Sequence, residues 1–123
     1  MPHKGAGGFK MVLIVRGELR LTAGKAAVQV AHAAVMLARE AARRKRPELG
    51  AWEAEGGKKI ALLLPTLSEM EALERRARAA GIPTVFVEDA GLTEVAPGTR
   101  TVLGLGPARN HELDALTGDL PLL

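Results

Sequence analysis

The 123-residue chain has no cysteine and no tyrosine, and its only aromatic residues are Phe9, Trp52 and Phe86. Without thiols there is no disulfide framework, no thiolate chemistry and no cysteine-based zinc site. So few rings exclude reading of single-stranded nucleic acid by base stacking. Ser68 is the only serine. It reads as a helix cap, and no Gly-x-Ser-x-Gly elbow is present, so a serine nucleophile is not expected. No apolar run is long enough to cross a membrane. Residues 1–8 lack the apolar centre of a signal peptide. These absences point to a cytoplasmic location. There is no P-loop. Gly104-Leu-Gly106-Pro-Ala-Arg109 lacks the third glycine of a dinucleotide loop, and His111-Glu-Leu-Asp-Ala115 lacks the second histidine of a zinc protease motif.

What is present is a mildly basic chain, with formal charge +3 and sequence pI about 9.7. If it meets RNA, the contacts are lysine and arginine on phosphate. The length suits one domain, residues 9–123, behind a tail at residues 1–8 where glycine and alanine have little to bury. Phe9–Val15 reads as a strand buried on both faces. The alanine-rich stretch from Gly24 to Arg46 reads as a long helix stopped by Pro47. A short helix is expected around Trp52. Lys59–Leu64 is a second strand. Ser68 and Glu71 read as a capping box for a helix to Ala80, which Gly81 and Pro83 end. Thr84–Val87 and Arg100–Leu105 are strands, and Asn110–Leu116 is a short helix. The order β-α-β-α-β-β-α predicts a three-layer α/β/α domain. Its last connection is too short for a helix, so the fourth strand should run antiparallel in a small mixed sheet.

Two polar motifs follow strands in this scheme. Lys25, Gln29 and His32 are spaced to share one helix face after the first strand. Asp89, Thr93 and Thr99 lie in the loop after the third strand, with Thr101 at the start of the fourth. Ligands of open α/β sheets bind beyond the carboxyl ends of strands, so these motifs can form one site. Lys25 in a first helical turn, beside free N–H groups, suits an anion. Asp89 suits proton transfer or water orientation. The plainer alternative makes Lys25 and Gln29 solvated, His32 half-buried, Asp89 a turn former and the threonines local caps. On spacing alone the plainer alternative is the simpler. Glu94 reads as a loop residue of uncertain direction. Arg43-Arg44-Lys45-Arg46 reads most simply as a solvated helix end.

These motifs, in this order, closely resemble the archaeal and eukaryotic type of peptidyl-tRNA hydrolase. Met11-Val-Leu-Ile-Val-Arg16, Gly24-Lys25 with Gln29 and His32-Ala33-Ala34, and Asp89-Ala-Gly-Leu-Thr-Glu-Val-Ala-Pro-Gly-Thr99 carry the resemblance. So do Thr101-Val-Leu-Gly-Leu-Gly-Pro107 and the ending Leu116-Thr-Gly-Asp-Leu-Pro-Leu-Leu123. Leu92 stands where arginine is usual, and Gly57 where glutamine is common.

The resemblance implies a sheet of order 2-1-4-3 and hydrolysis of the ester between peptide and tRNA. That reaction recycles tRNA from aborted translation, with neither metal nor organic cofactor. The partner implied is peptidyl-tRNA, and many members are homodimers. Lys25, Asp89 and Thr93 match the residues proposed as catalytic. On this reading Asp89 orients or deprotonates water, Thr93 holds it, and Lys25 stabilises the oxyanion or the leaving ribose oxygen. Gln29, His32, Thr99 and Thr101 position Lys25 or substrate, while Arg43, Lys58 and Arg39 contact tRNA phosphates. Two competing readings are a non-catalytic RNA- or protein-binding module on the same fold, and an esterase for small molecules.

Overall fold

The computed structural model describes residues 7–90 and 94–123. The strands are β1 (Phe9–Arg16), β2 (Lys59–Leu64), β3 (Thr84–Glu88) and β4 (Arg100–Arg109). The helices are α1 (Ala23–Arg43), α2 (Pro47–Ala54), α3 (Leu67–Ala79) and α4 (Asn110–Thr117). The four-stranded sheet has the order β2-β1-β4-β3. β1 pairs parallel with β2, and β4 pairs antiparallel with both β1 and β3. This is the α/β architecture expected.

The alternation of side chains along β1 divides the interior in two. Met11, Leu13 and Val15 face α1 and α2, packing with Ala33, Leu37 and Trp52. Val12 and Ile14 face α3 and α4, packing with Met70, Leu73 and Leu113. A period of two along one largely apolar strand therefore produces the three layers. β4 lies between β1 and β3, and the free edges of the sheet are β2 and β3. The C-terminal segment covers the β2 edge: Leu63 N–H donates to Pro121 O at 3.0 Å, and Leu123 N–H to Ala61 O at 3.0 Å. Covering an edge in this way removes a row of unpaired backbone groups.

Gly104 sets how closely α1 lies on the sheet. A Cβ there would stand 2.9 Å from Leu37 Cδ1, 3.0 Å from Val85 Cγ2 and 3.4 Å from Ala33 Cβ. The small residues Ala26, Ala33 and Ala41 are buried along the same helix. Small faces on both partners let the helix backbone, and hence its first turn, approach the strands.

Three local expectations need correction. The α3 cap is Thr66, not Ser68: the Thr66 hydroxyl accepts from Glu69 N–H at 3.2 Å, and the Glu69 carboxylate accepts from Thr66 N–H at 3.3 Å. Ser68 is exposed on the first turn. Both readings satisfy the same three-residue spacing, and the chain takes the one that starts the helix earlier. Pro47 does not end α1; it opens α2 at its first turn, where a missing N–H costs nothing. α1 stops at Arg43, because Lys45 turns to φ 55°. β4 runs on to Arg109 rather than ending at Leu105, through a register shift opposite Lys10 and Val12. At the other end Gly8 O accepts the Asn110 N–H at 2.9 Å, and residues 1–6 of the expected tail lie outside the described residues.

Candidate functional site at the carboxyl ends of β1 and β3

α1 begins just beyond the end of β1, and Asp89 follows directly on β3. The two strands run in the same direction, so both motifs emerge at one edge of the sheet. There the Lys25 ammonium and the Asp89 carboxylate form an ion pair. The Asp89 side chain is 1% exposed and that of Lys25 11%. The pair is closed on the carboxylate side and reaches solvent through the ammonium. Asp89 is fixed by its backbone as well: its N–H donates to Thr99 O at 2.9 Å, and its carbonyl accepts from Gly98 N–H at 2.8 Å. The loop closed by these bonds returns the chain to β4.

One turn along α1, Gln29 is buried, and its Nε2 donates to Thr101 Oγ1 at 2.6 Å. Thr101 Oγ1 in turn donates to Val87 O at 3.3 Å. Helix α1 is thus tied to β4 and β3 directly beneath the ion pair. The plainer alternative for Lys25 and Gln29, two solvated side chains, does not describe this structure. His32, by contrast, is exposed rather than half-buried, and it lines a shallow cleft with Met36, Arg39 and Phe86.

Thr22 and Glu94 are participants that spacing did not single out. Thr22 is the N-cap of α1, yet its side chain makes no cap bond. Its hydroxyl and its N–H both donate to the Glu94 carboxylate, the N–H at 3.1 Å. The Thr22 hydroxyl and backbone bonds hold the Glu94 carboxyl below its ordinary value of 4.5, with a smaller contribution from Lys25. An anion is also favoured at a helix N-terminus. The signal was present as a carboxylate in the loop and a threonine before the helix, but no local pattern joins them. Thr93 lies outside the described residues, as do Gly91 and Leu92.

Of the remaining expected site residues, Thr99 is at the ion pair and Arg43 and Lys58 are elsewhere. Thr99 is half-buried and takes part through its backbone. Arg43 ends α1, about 27 Å along the helix from Lys25 at 1.5 Å per residue. Lys58 is exposed and precedes β2, so it lies at the amino edge of the sheet, opposite the ion pair. Arg43 and Arg44 both bind Glu40 and hold its carboxyl down at about 2.

A buried carboxylate paired with a largely buried ammonium at a helix N-terminus supplies a proton acceptor beside a cationic centre. That combination can orient a water and stabilise a developing oxyanion. No described helix is long and apolar enough to cross a membrane. Among the described residues no three His, Asp or Glu side chains are grouped to hold a metal ion.

Residues 9–123 match the family described as Peptidyl-tRNA hydrolase PTH2. The peptidyl-tRNA hydrolase of Methanopyrus kandleri is 46% identical over 115 residues, covering 94% of this chain and 98% of that protein. That of Pyrobaculum aerophilum is 44% identical, covering 92% and 96%. The human protein named peptidyl-tRNA hydrolase 2, mitochondrial, is 38% identical over 95% of this chain and 65% of its own length. With a match across the whole sheet and both motifs, this chain belongs to the peptidyl-tRNA hydrolase PTH2 family.

Proposed function

We propose a residue-level mechanism for the peptidyl-tRNA hydrolysis that family membership assigns to this chain. The bond cut is the ester between the peptide and the terminal ribose. The observation that carries this reading is the Lys25–Asp89 ion pair at the ligand-binding edge of the sheet. Asp89 orients the attacking water, and Thr93 helps to hold it. Lys25 stabilises the tetrahedral oxyanion or the departing ribose oxygen, with the first turn of α1 adding its partial positive charge. Gln29 and Thr101 position α1 so that Lys25 meets Asp89. His32 and Thr99 line the approach, and Arg43 and Lys58 meet tRNA phosphates at a distance from the ester.

The mechanism draws on side chains and water alone, with no metal. It also includes a homodimer acting in the cytoplasm. Val28 and Val35, both about half exposed and two turns apart on α1, give an apolar strip that supports self-association.

The test is release of free tRNA from an N-blocked aminoacyl-tRNA in the presence of EDTA. Turnover by the wild type, lost in Asp89→Asn and Lys25→Ala, is the expected result. A folded wild type that binds tRNA without turnover would instead point to a binding module. EDTA-sensitive turnover would remove the metal-free mechanism.

A further inference from the structure

α1 carries a second feature at its far end. Arg39, Arg43, Arg44 and Arg46, together with Arg78 at the end of α3, line a groove of about 640 Å³ beside Pro83 and Thr84. The groove lies at the start of β3, at the opposite end of that strand from Asp89. It does not end there. Met36 and Arg39 also line the His32 cleft, whose floor is the edge strand at Phe86, Val87 and Glu88. Lys25, His32, Met36, Arg39 and Arg43 recur at spacings of three, four or seven, so they follow one face of α1. The cleft and the groove thus adjoin through Met36 and Arg39 along the outer edge of β3, from His32 and Glu88, next to Asp89 in the chain, to the arginines.

The arginines keep donors for a ligand. The Arg43, Arg44 and Arg78 side chains are 68%, 61% and 72% exposed, although each touches a carboxylate. A guanidinium has five N–H donors, and one carboxylate occupies two of them at most. Arg39 has no carboxylate partner among the described residues. Arg46 NH2 reaches Glu48 at 3.3 Å, and its Nε, which is buried, has no hydrogen-bond acceptor among the described residues. Glu40 is the carboxylate in the groove wall, and it is shared by two of the arginines.

Planar guanidinium groups crowded along a groove match the oxygens of successive phosphates. The distance matters as much as the charge. About 27 Å separates Arg43 from Lys25 along α1. At roughly 3.4 Å per nucleotide step, that is about eight steps of a nucleic-acid backbone. An RNA whose 3′ end is esterified at the ion pair would therefore present a phosphate ladder several nucleotides away to these arginines. An extended peptide could span the same length, but it offers no regular anions to five arginines.

We propose that this arginine groove is a second RNA-docking site, which grips the phosphate backbone of the tRNA body remote from the ester. The inference rests on the hydrolase reading and adds a location to it. The groove is the main remote anchor, ahead of the single contact at Lys58. Lys58 precedes β2, three strands across the sheet from β3, or about 14 Å at the usual strand spacing.

The experiment compares two substrates carrying the same N-blocked aminoacyl ester: full-length tRNA and a short oligonucleotide ending in the same nucleotides. Kinetics are measured across a salt series for wild type and for the combined variant Arg39→Gln, Arg43→Gln, Arg44→Gln. The variant should raise KM for full-length tRNA about tenfold while kcat holds, and the preference for full-length over short substrate should fall by the same factor. The slope of log KM against log salt should drop by about 2 to 3, near 0.9 for each phosphate contact removed. Lysine at the same three positions should restore most of the salt slope.

Wild-type turnover of both substrates, which the hydrolase reading requires, keeps the two questions apart. Unchanged KM and salt slope for full-length tRNA in the glutamine variant would overturn the groove alone. A KM effect that follows the length of the peptide rather than of the RNA would also overturn it, and would assign the groove to the peptide.

Discussion

Lys25, in the first turn of α1, holds the carboxylate of Asp89, which follows β3, in an ion pair shut from solvent on the acid's side. Removing either partner has unequal structural consequences. Asp89→Asn keeps the shape and removes the charge. It should lower kcat about 10²- to 10⁴-fold, the usual range for a positioned acid–base group. Lys25→Ala should cost about 10²- to 10³-fold and also lower Tm, because it leaves a buried carboxylate without this partner. Single-turnover release of tRNA, paired with thermal melts, checks both. A wild-type rate in either folded variant would remove that residue from the mechanism.

The Thr22–Glu94 bonds should make the site loop sensitive to acid. Because the folded-state value of Glu94 lies below its ordinary 4.5, its contribution is complete above pH 4.5 and is lost as pH falls through the lowered value. Glu94→Gln should therefore cost stability at neutral pH and less at pH 3. The difference in Tm between wild type and variant, followed from pH 6 to pH 3, should narrow. A constant difference would show that the carboxylate is not what holds the loop.

Lys10 is fully buried on β1 and donates to Asp114 on α4 at 2.6 Å. Asp114→Ala takes a carboxylate away from a buried ammonium, a change that costs about 3 kcal/mol. Replacing Lys10 by Met in the same variant should recover part of that loss, since an apolar chain needs no counter-charge there. Urea midpoints for the single and double variants decide the matter. The far position of this pair, on the α4 side of the sheet, predicts unchanged kcat in the folded fraction.

Gly104→Ala would place a methyl group against Leu37, Val85 and Ala33. Overpacking of this kind costs about 1–3 kcal/mol. Leu37 and Ala33 belong to α1, so relieving their contacts lifts the helix; the shift should reach Lys25 and lower kcat more than KM rises. Leu37→Ala in the same chain makes room for the methyl group and should return part of the activity. Activity unaffected by Gly104→Ala would mean that the α1 approach is set elsewhere.

The fold was legible because its determinants are local and periodic. Seven consecutive apolar or long side chains in β1 announce burial on both faces, and glycine at 81 before Pro83 announces the end of α3. The order of elements, with too short a link between β3 and β4, was enough to make β4 antiparallel. Local competition was less legible. Thr66 and Ser68 both have a glutamate three residues on, and only the backbone, extended at Thr66 and helical from Leu67, makes Thr66 the cap.

The sequence by itself determined which chemical groups stand at the strand ends: an ammonium, an amide and a carboxylate, at positions where α/β sheets bind ligands. Tertiary structure alone decided how they meet. Lys25 reaches Asp89, Gln29 reaches Thr101, and Thr22 reaches Glu94 because β4 folds back between β1 and β3, and no local spacing encodes that return. The length of α1 sends Arg43 away from the ester, the strand direction puts Lys58 at the opposite edge, and packing brings Arg78 and Arg43 to one groove. Helical periodicity can assign residues to a face, but only packing decides whether that face meets water, a partner charge or the edge of a sheet.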